Sequence, residues 1–500
     1  MFPVLYQINA RVWLFELGQR LGRPATFDDV PDTFLADVAA RGFDWVWWLG
    51  VWQTGPLSRE IAREHVGLQA EYRRALPDFA QADVAGSPFA ISDYVVHVDF
   101  GGAAALARLR ERMKRHGLKL LLDFVPNHLS PDHRWVRERP EYFVHGTAEA
   151  FHHAPQNYRE FETARGTQIL AHGRDPYFDG WSDTVQLNYR HAGCRAAMTR
   201  ELLRVAEQCD GVRCDMAMLL LPEVFQRTWG DLGLPSDGTP PVDTSYWPEA
   251  IAEIRSRQPG FLFMAEVYWD LEWTLQQSGF DFTYDKRLYD QLHGRDASGA
   301  RGHLSGSRSF QDRLARFLEN HDEPRAAGVF PRGQHEAAAI ATFFAPGLKF
   351  FHEGQFEGRT VKLPIQLRRR PHEAVNADLA SFYAALLPLI RDEIVRDGEW
   401  SLAGVRAAWE ENGSHAAFIA MHLRRGERHW LVAVNFADHW SQCFVESPVS
   451  VDEGWGRRAF EFRDLLRGTV YERETTDLLA RGLYLDVEGW GFHVFEVTGV

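Results

Sequence analysis

The 500-residue chain is 45% hydrophobic and 25% charged, the composition of a soluble globular protein long enough for more than one domain. Its formal net charge of −14, with acidic and basic residues mixed throughout, excludes the clustered positive charge that nucleic-acid or anionic-membrane binding requires. The four cysteines (Cys194, Cys209, Cys214, Cys443) lack metal or CxxC spacing, and Met1-Phe2-Pro3-Val4 opens no secretory signal. Apolar runs such as Leu219-Leu220-Leu221 are far too short for a membrane span, so a reducing cytoplasm is expected.

Val4 to Ile8 predicts a first strand that leaves no room for an N-terminal domain, and Phe43 to Leu49 predicts a second. Residues 50–102 are too long for a simple connection and contain a helix-like stretch, Ser58 to Leu76. A helix over Ala103 to His116, entered through Gly101-Gly102 and stopped at Gly117, leads to a third strand, Leu118 to Val125. Residues 129–190, rich in His, Pro, Gly and aromatics, read as an excursion domain in which His152-His153 belongs to a surface loop. Helices over Ala196 to Gln208, Tyr246 to Arg257, Glu336 to Phe344 and Ala377 to Arg391 then alternate with further apolar strands. Those strands are Gly211 to Asp215, Phe261 to Glu266, Phe280 to Thr283, Leu314 to Glu319 and Leu348 to His352. Buried strands alternating with helices predict a (β/α)8 TIM barrel. After Gly398, alternating segments such as Ala416 to Leu423, His429 to Phe436 and Trp490 to Val497 predict a C-terminal antiparallel β domain. The expected division is a barrel over 1–128 and 191–397, an inserted domain over 129–190 and a β-sandwich over 398–500.

Three acids fall where barrel strands end: Asp215, Glu266 and Asp322. Strand ends aim side chains from separate segments into one mouth. Each acid alone would equally suit a helix cap or a rim ion pair; three with polar escorts point to chemistry. Arg213 lies two residues before Asp215, so alternation puts both on one face, where the guanidinium can hold the carboxylate ionised. Glu266 ends an apolar strand, where desolvation would raise its pKa toward that of a useful acid. Retaining glycoside cleavage needs such a pair, roughly 5 to 5.5 Å apart with one member protonated.

Four ordered segments carry a resemblance: Asp123-Phe124-Val125-Pro126-Asn127-His128, Gly211-Val212-Arg213-Cys214-Asp215, Glu266-Val267 and Asn320-His321-Asp322. They are similar to the signature segments of the α-amylase superfamily of retaining glycoside hydrolases, and the likeness extends over the whole chain. It implies Asp215 as nucleophile, Glu266 as general acid/base and Asp322 as transition-state stabiliser. It also implies that Arg213 orients the nucleophile, that His128 and His321 bind sugar hydroxyls, and that Asp123 supports Arg213. Asn127 would brace a loop or bind calcium, although Met216-Ala217-Met218 lacks the lysine-histidine pair of calcium-dependent amylases. No cofactor is required by this reading, the partner is an oligosaccharide or α-glucoside, and the oligomeric state is not readable.

His321-Asp322-Glu323-Pro324-Arg325 resembles the fourth motif of exo-acting α-glucosidases, whose arginine contacts the non-reducing sugar; here that is Arg325. Gly86-Ser87-Pro88-Phe89 resembles their sugar-stacking segment with Phe89 in place of tyrosine, and Gly86 stands where they carry an aspartate. Among the aromatics, Trp45 and Trp47 are expected in the core, whereas Trp52, past its strand, and Trp181 are candidate sugar platforms. Arg368-Arg369-Arg370 reads as a solvated loop. Three functions remain: hydrolysis of α-glucosidic bonds, transfer by the same double displacement (transglycosylase, trehalose-synthase-like isomerase or phosphorylase), and non-catalytic glycan binding.

Overall fold

The computed structural model describes residues 1–331, 333–450 and 456–500. Eight parallel strands close a barrel in sequence order. They are β1 (Val4–Asn9), β2 (Trp45–Leu49), β3 (Lys119–Phe124), β4 (Gly211–Cys214), β5 (Leu262–Ala265), β6 (Phe282–Tyr284), β7 (Leu314–Arg316) and β8 (Leu348–His352). Every residue of β2, β4, β5 and β8 is buried, which is why these segments read as continuous apolar runs: barrel contents cover one face and helices the other. The predicted strands all occur, but β6 is shifted toward the C-terminus, from Phe282 to Tyr284, and β7 stops short at Arg316. The acids expected to end β4 and β5 stand one residue beyond them.

The helices follow the predicted alternation, and their ends have local causes. Asn9, the last residue of β1, accepts a hydrogen bond from the Val12 backbone amide and so opens the helix Ala10–Leu21. Asn376 caps Ala377–Arg391 in the same way through Leu379. The stretch expected as one helix over Ser58 to Leu76 is instead two, Pro56–Glu64 and Val66–Ala75. His65 divides them in an extended conformation and caps the second with its ring nitrogen.

This long connection is clamped to the far end of the barrel sequence. Tyr72, Leu76 and Val84 bury against Leu367, and Arg369 forks onto Asp83 at 2.7 and 2.8 Å. Arg370 pairs with Glu16 at 2.5 Å and with Glu353 at 2.9 Å. The basic run 368–370 is therefore half-buried rather than the solvated loop expected from its charge, because carboxylates distant in sequence converge on Arg369 and Arg370.

The excursion is built from the antiparallel pair Tyr158–Thr163 and Gly166–Ala171, joined to the barrel through Val185–Gln186 beside His128–Leu129. His152 and His153 close the short helix Ala148–His153 rather than a loop, and no metal-holding cluster occurs among the described residues. Beyond the barrel, a six-stranded and a three-stranded sheet, both antiparallel, bury Phe418, Leu431, Cys443, Phe460 and Phe495 in their own core. All four cysteines are free and buried. Among the described residues no helix is long and apolar enough to cross a membrane.

Candidate active site

Arg213 is the centre of the barrel mouth. The parallel register sets it level with Asp123 of β3 and Met264 of β5. Its side chain is fully buried, with the guanidinium carbon 5.3 Å from the rings of both Trp47 and Phe89 and 5.7 Å from that of Tyr284. From this aromatic seat one nitrogen donates to Asp215 Oδ1 at 2.5 Å. The other lies 2.8 Å from Glu266 Oε2 and 3.7 Å from Asp322 Oδ2, without an aligned hydrogen bond to either. One cation thus serves three carboxylates from three strand ends.

The bend after β4 completes the arrangement. Met216 adopts a left-handed conformation (φ 42°), a costly geometry for a side-chain-bearing residue, and its backbone amide donates to Glu266 Oε2 at 2.7 Å. Tyr268 donates its hydroxyl to the other oxygen, Oε1, at 2.9 Å. Burial pushes the Glu266 carboxyl up to about 8; Arg213 opposes the rise, while the charges of Asp215 and Asp322 add to it. Loss of solvent likewise raises Asp322, again against Arg213.

Asp322 is held from the far side. His321 Nε2 lies 3.0 Å from its Oδ2, and Gln7 of β1 meets His321 Nδ1 at 2.8 Å. Asn320 Oδ1 accepts from the Asp322 and Glu323 amides and shapes the turn, and Lys362 donates to the Asp322 carbonyl. Burial pulls both His321 and His128 below the ordinary imidazole range, so they are neutral at pH 7. The His128 ring lies 5.2 Å from the half-buried Trp181, which brings the excursion over the mouth. Gly173 is required there, since a Cβ would stand 2.8 Å from both the His128 Cβ and the Thr184 hydroxyl.

Among the remaining candidates, Trp52 and Arg325 are placed differently from what their position in the sequence suggested. Asp123 accepts from Trp47 Nε1 at 3.0 Å and from the Gly50 amide at 2.6 Å, so it fixes the Trp47 ring against Arg213 while acting on Arg213 through its charge. Burial raises its carboxyl to about 7, with Arg213 opposing. Trp52 is not a platform: it is fully buried and donates to the Asp123 carbonyl at 2.7 Å. Arg325 is only 5% exposed and bonds Glu319 at 2.6 Å and the Glu353 carbonyl at 2.7 Å. Asn127 accepts from Gln186 through both its carbonyl and its side-chain oxygen, an arrangement that braces the loop. Phe89 sits 5.3 Å from the His321 ring, at the rim of the carboxylate group.

Sequence reasoning missed Gln7, Trp47 as a partner of Asp123, Tyr268 and Tyr284. Tyr268 had a signal, being two residues after Glu266 in an extended segment. Gln7 and Tyr284 sit inside ordinary apolar strands, and only barrel closure shows where they point.

The family model for the alpha amylase catalytic domain matches residues 77–401. The alpha-amylase MalA of Haloarcula japonica is 27% identical over 289 residues, 56% of this chain and 38% of that protein. An alpha-1,4-glucan:maltose-1-phosphate maltosyltransferase of Pseudomonas aeruginosa is 32% identical over 146 residues, 28% of this chain and 20% of that one. The chain therefore matches well under half the length of these curated relatives. In fold it is similar to the crystal structure of a maltogenic alpha-amylase, AmyB, from Thermotoga neapolitana. The TM-score is 0.69 at 18% identity, with 99% of this chain and 98% of that chain covered.

Proposed function

We propose, from the premise that this chain belongs to the alpha-amylase catalytic-domain family, that it cleaves α-glucosidic bonds of short glucans or glucosides with retention. The observation that carries this reading is the forked Arg213 between Asp215 and Glu266. It places two carboxyl groups on neighbouring arms of one guanidinium, in keeping with the roughly 5 to 5.5 Å that double displacement needs. In this reading Asp215 attacks the anomeric carbon while Glu266, protonated at neutral pH, gives its proton to the departing glycosidic oxygen. Glu266, now ionised, takes a proton from water, and the resulting hydroxide attacks the anomeric carbon and frees Asp215. Asp322, His321 and His128 grip hydroxyls of the sugar as its ring flattens, and Phe89 and Trp181 offer flat apolar faces to it.

Arg325, with both its bonds made to protein, braces the turn carrying Asp322. The barrel would comprise 1–128 and 191–397, the insertion 129–190 and the C-terminal β-sandwich 398–500. Four free buried cysteines are in keeping with a reducing cytoplasm. Transfer to a sugar or phosphate acceptor uses the same first half-reaction, and the maltosyltransferase match favours keeping it as the second reading.

A time course on maltose and maltotetraose, with and without phosphate, tests both readings, with Asp215→Asn as control. Early α-anomeric products by NMR are expected from the retaining hydrolase. Longer, rearranged or phosphorylated products establish transfer instead. An initial β-anomer overturns the double displacement.

A further inference from the structure

Away from the barrel mouth, a cavity of about 620 Å³ opens between the helix Ala10–Leu21, the turn at Asp99-Phe100 and Arg368, a volume that suits a small organic ligand. Its walls are largely apolar, with Leu14, Phe15, Pro24 and Phe100 among them.

Two arginines line this space without an ion-paired carboxylate among the described residues. Arg11 is only 9% exposed, yet its single hydrogen bond goes to the Gly86 carbonyl at 2.7 Å, and no acid ion-pairs with it among the described residues. Arg368 lays its guanidinium 5.2 Å from the Phe15 ring, and its buried Nε has no hydrogen-bond partner. Buried guanidinium groups are ordinarily matched by carboxylates, as Arg370 is by Glu16 and Glu353. The other charges at the cavity do not supply that match. Arg23 is already paired with Asp29, and Asp99 sits at the opening with its side chain 78% exposed, 3.7 Å from His97; its charge favours the Arg11 cation, but the two form no ion pair among the described residues. Burial lowers Arg11 to about 10, which leaves it charged at neutral pH.

We propose that this cavity binds a small organic oxyanion, a phosphate or carboxylate head on a flat apolar body. Arg11 and Arg368 take the head, since a guanidinium fork matches the geometry of such groups, and Phe15 and Phe100 take the body. The site is separate from the carboxylates of the barrel mouth and does not depend on the reaction proposed for them.

Calorimetric titration of the full chain with phenyl phosphate, benzoate and phenol tests the site. A charged probe should bind once per chain while phenol does not, and the tighter of the two charged probes identifies the head group. Arg11→Gln and Arg368→Gln should each weaken that binding about tenfold or more, and Asp99→Asn should tighten it by removing a repelling charge. Arg368 is only half-buried, so its variant decides the matter if the Arg11 variant does not fold. Absence of binding by either charged probe, equal binding of phenol, or a folded arginine variant with wild-type affinity overturns the proposal.

Discussion

Two arginines, Arg213 at the barrel mouth and Arg316 in β7, have fully buried side chains, and they use their charge differently. Arg316 is saturated: it donates to Asp285, to Gln311 and to the Pro346 carbonyl. Burial alone would raise Asp285, but Arg316 and His303 hold its carboxyl well below the usual range. Arg213 faces three carboxylates and leaves one nitrogen without an aligned acceptor, and the Glu266 carboxyl rises to about 8. One cation per acid yields a settled ion pair. One cation among three acids leaves a proton that exchanges near neutral pH, as a general acid/base requires.

The largest effect that could break this comparison is at the nucleophile. Asp215→Asn should lower kcat by roughly 10⁴-fold or more with an unchanged circular-dichroism spectrum. Activity above a few per cent of wild type would remove Asp215 from the reaction.

The two buried arginines should respond differently to substitution. Arg213→Lys should cost about 10²- to 10³-fold in kcat, because an ammonium cannot fork between Asp215 and Glu266. Arg316→Met should leave kcat of the folded fraction nearly intact and instead cost about 3–5 kcal/mol of stability by stranding Asp285. Denaturant melts and kcat measured on both variants would show whether the two roles separate.

A pH series sharpens the contrast further. The acid function of Glu266 should fail as pH rises through about 8, giving an alkaline limb in kcat/KM that follows its raised carboxyl. An unfolded glutamate ionises near 4.3, so between there and about 8 the folded state holds the extra proton, and stability falls as pH rises across that window. Glu266→Gln should flatten that fall in thermal melts taken from pH 5 to about 8.5.

The smallest expected effect is at Tyr268. Its hydroxyl donates to Glu266 and so favours the ion. Tyr268→Phe should move the alkaline limb upward and lower kcat by roughly tenfold or less. A limb that moves downward would mean that the hydroxyl accepts from the protonated acid.

Much of the architecture was legible because it is local. Apolar runs at Trp45–Leu49 and Leu348–His352, and helix signals such as the Gly101-Gly102 entry and the Gly117 stop, depend on residues a few positions apart. Asp215, Glu266 and Asp322 were visible because each follows an apolar strand. Trp52 misled because a side chain three residues past a strand can turn either to solvent or inward, and the Asp123 carbonyl decided which. Arg368-Arg369-Arg370 misled because charge density reports nothing about the partners Asp83, Glu16 and Glu353.

Local periodicity set the alternation of strands and helices, the order of the motifs and the pairing of Arg213 with Asp215. It took the folded barrel to make Glu266 and Asp322 share that guanidinium, to set Gln7 against His321, and to place Arg11 and Arg368 at one cavity with no ion-paired acid among the described residues. Those relations join residues tens to hundreds of positions apart, and closure of the barrel, not any local preference, sets the distances that make them interact.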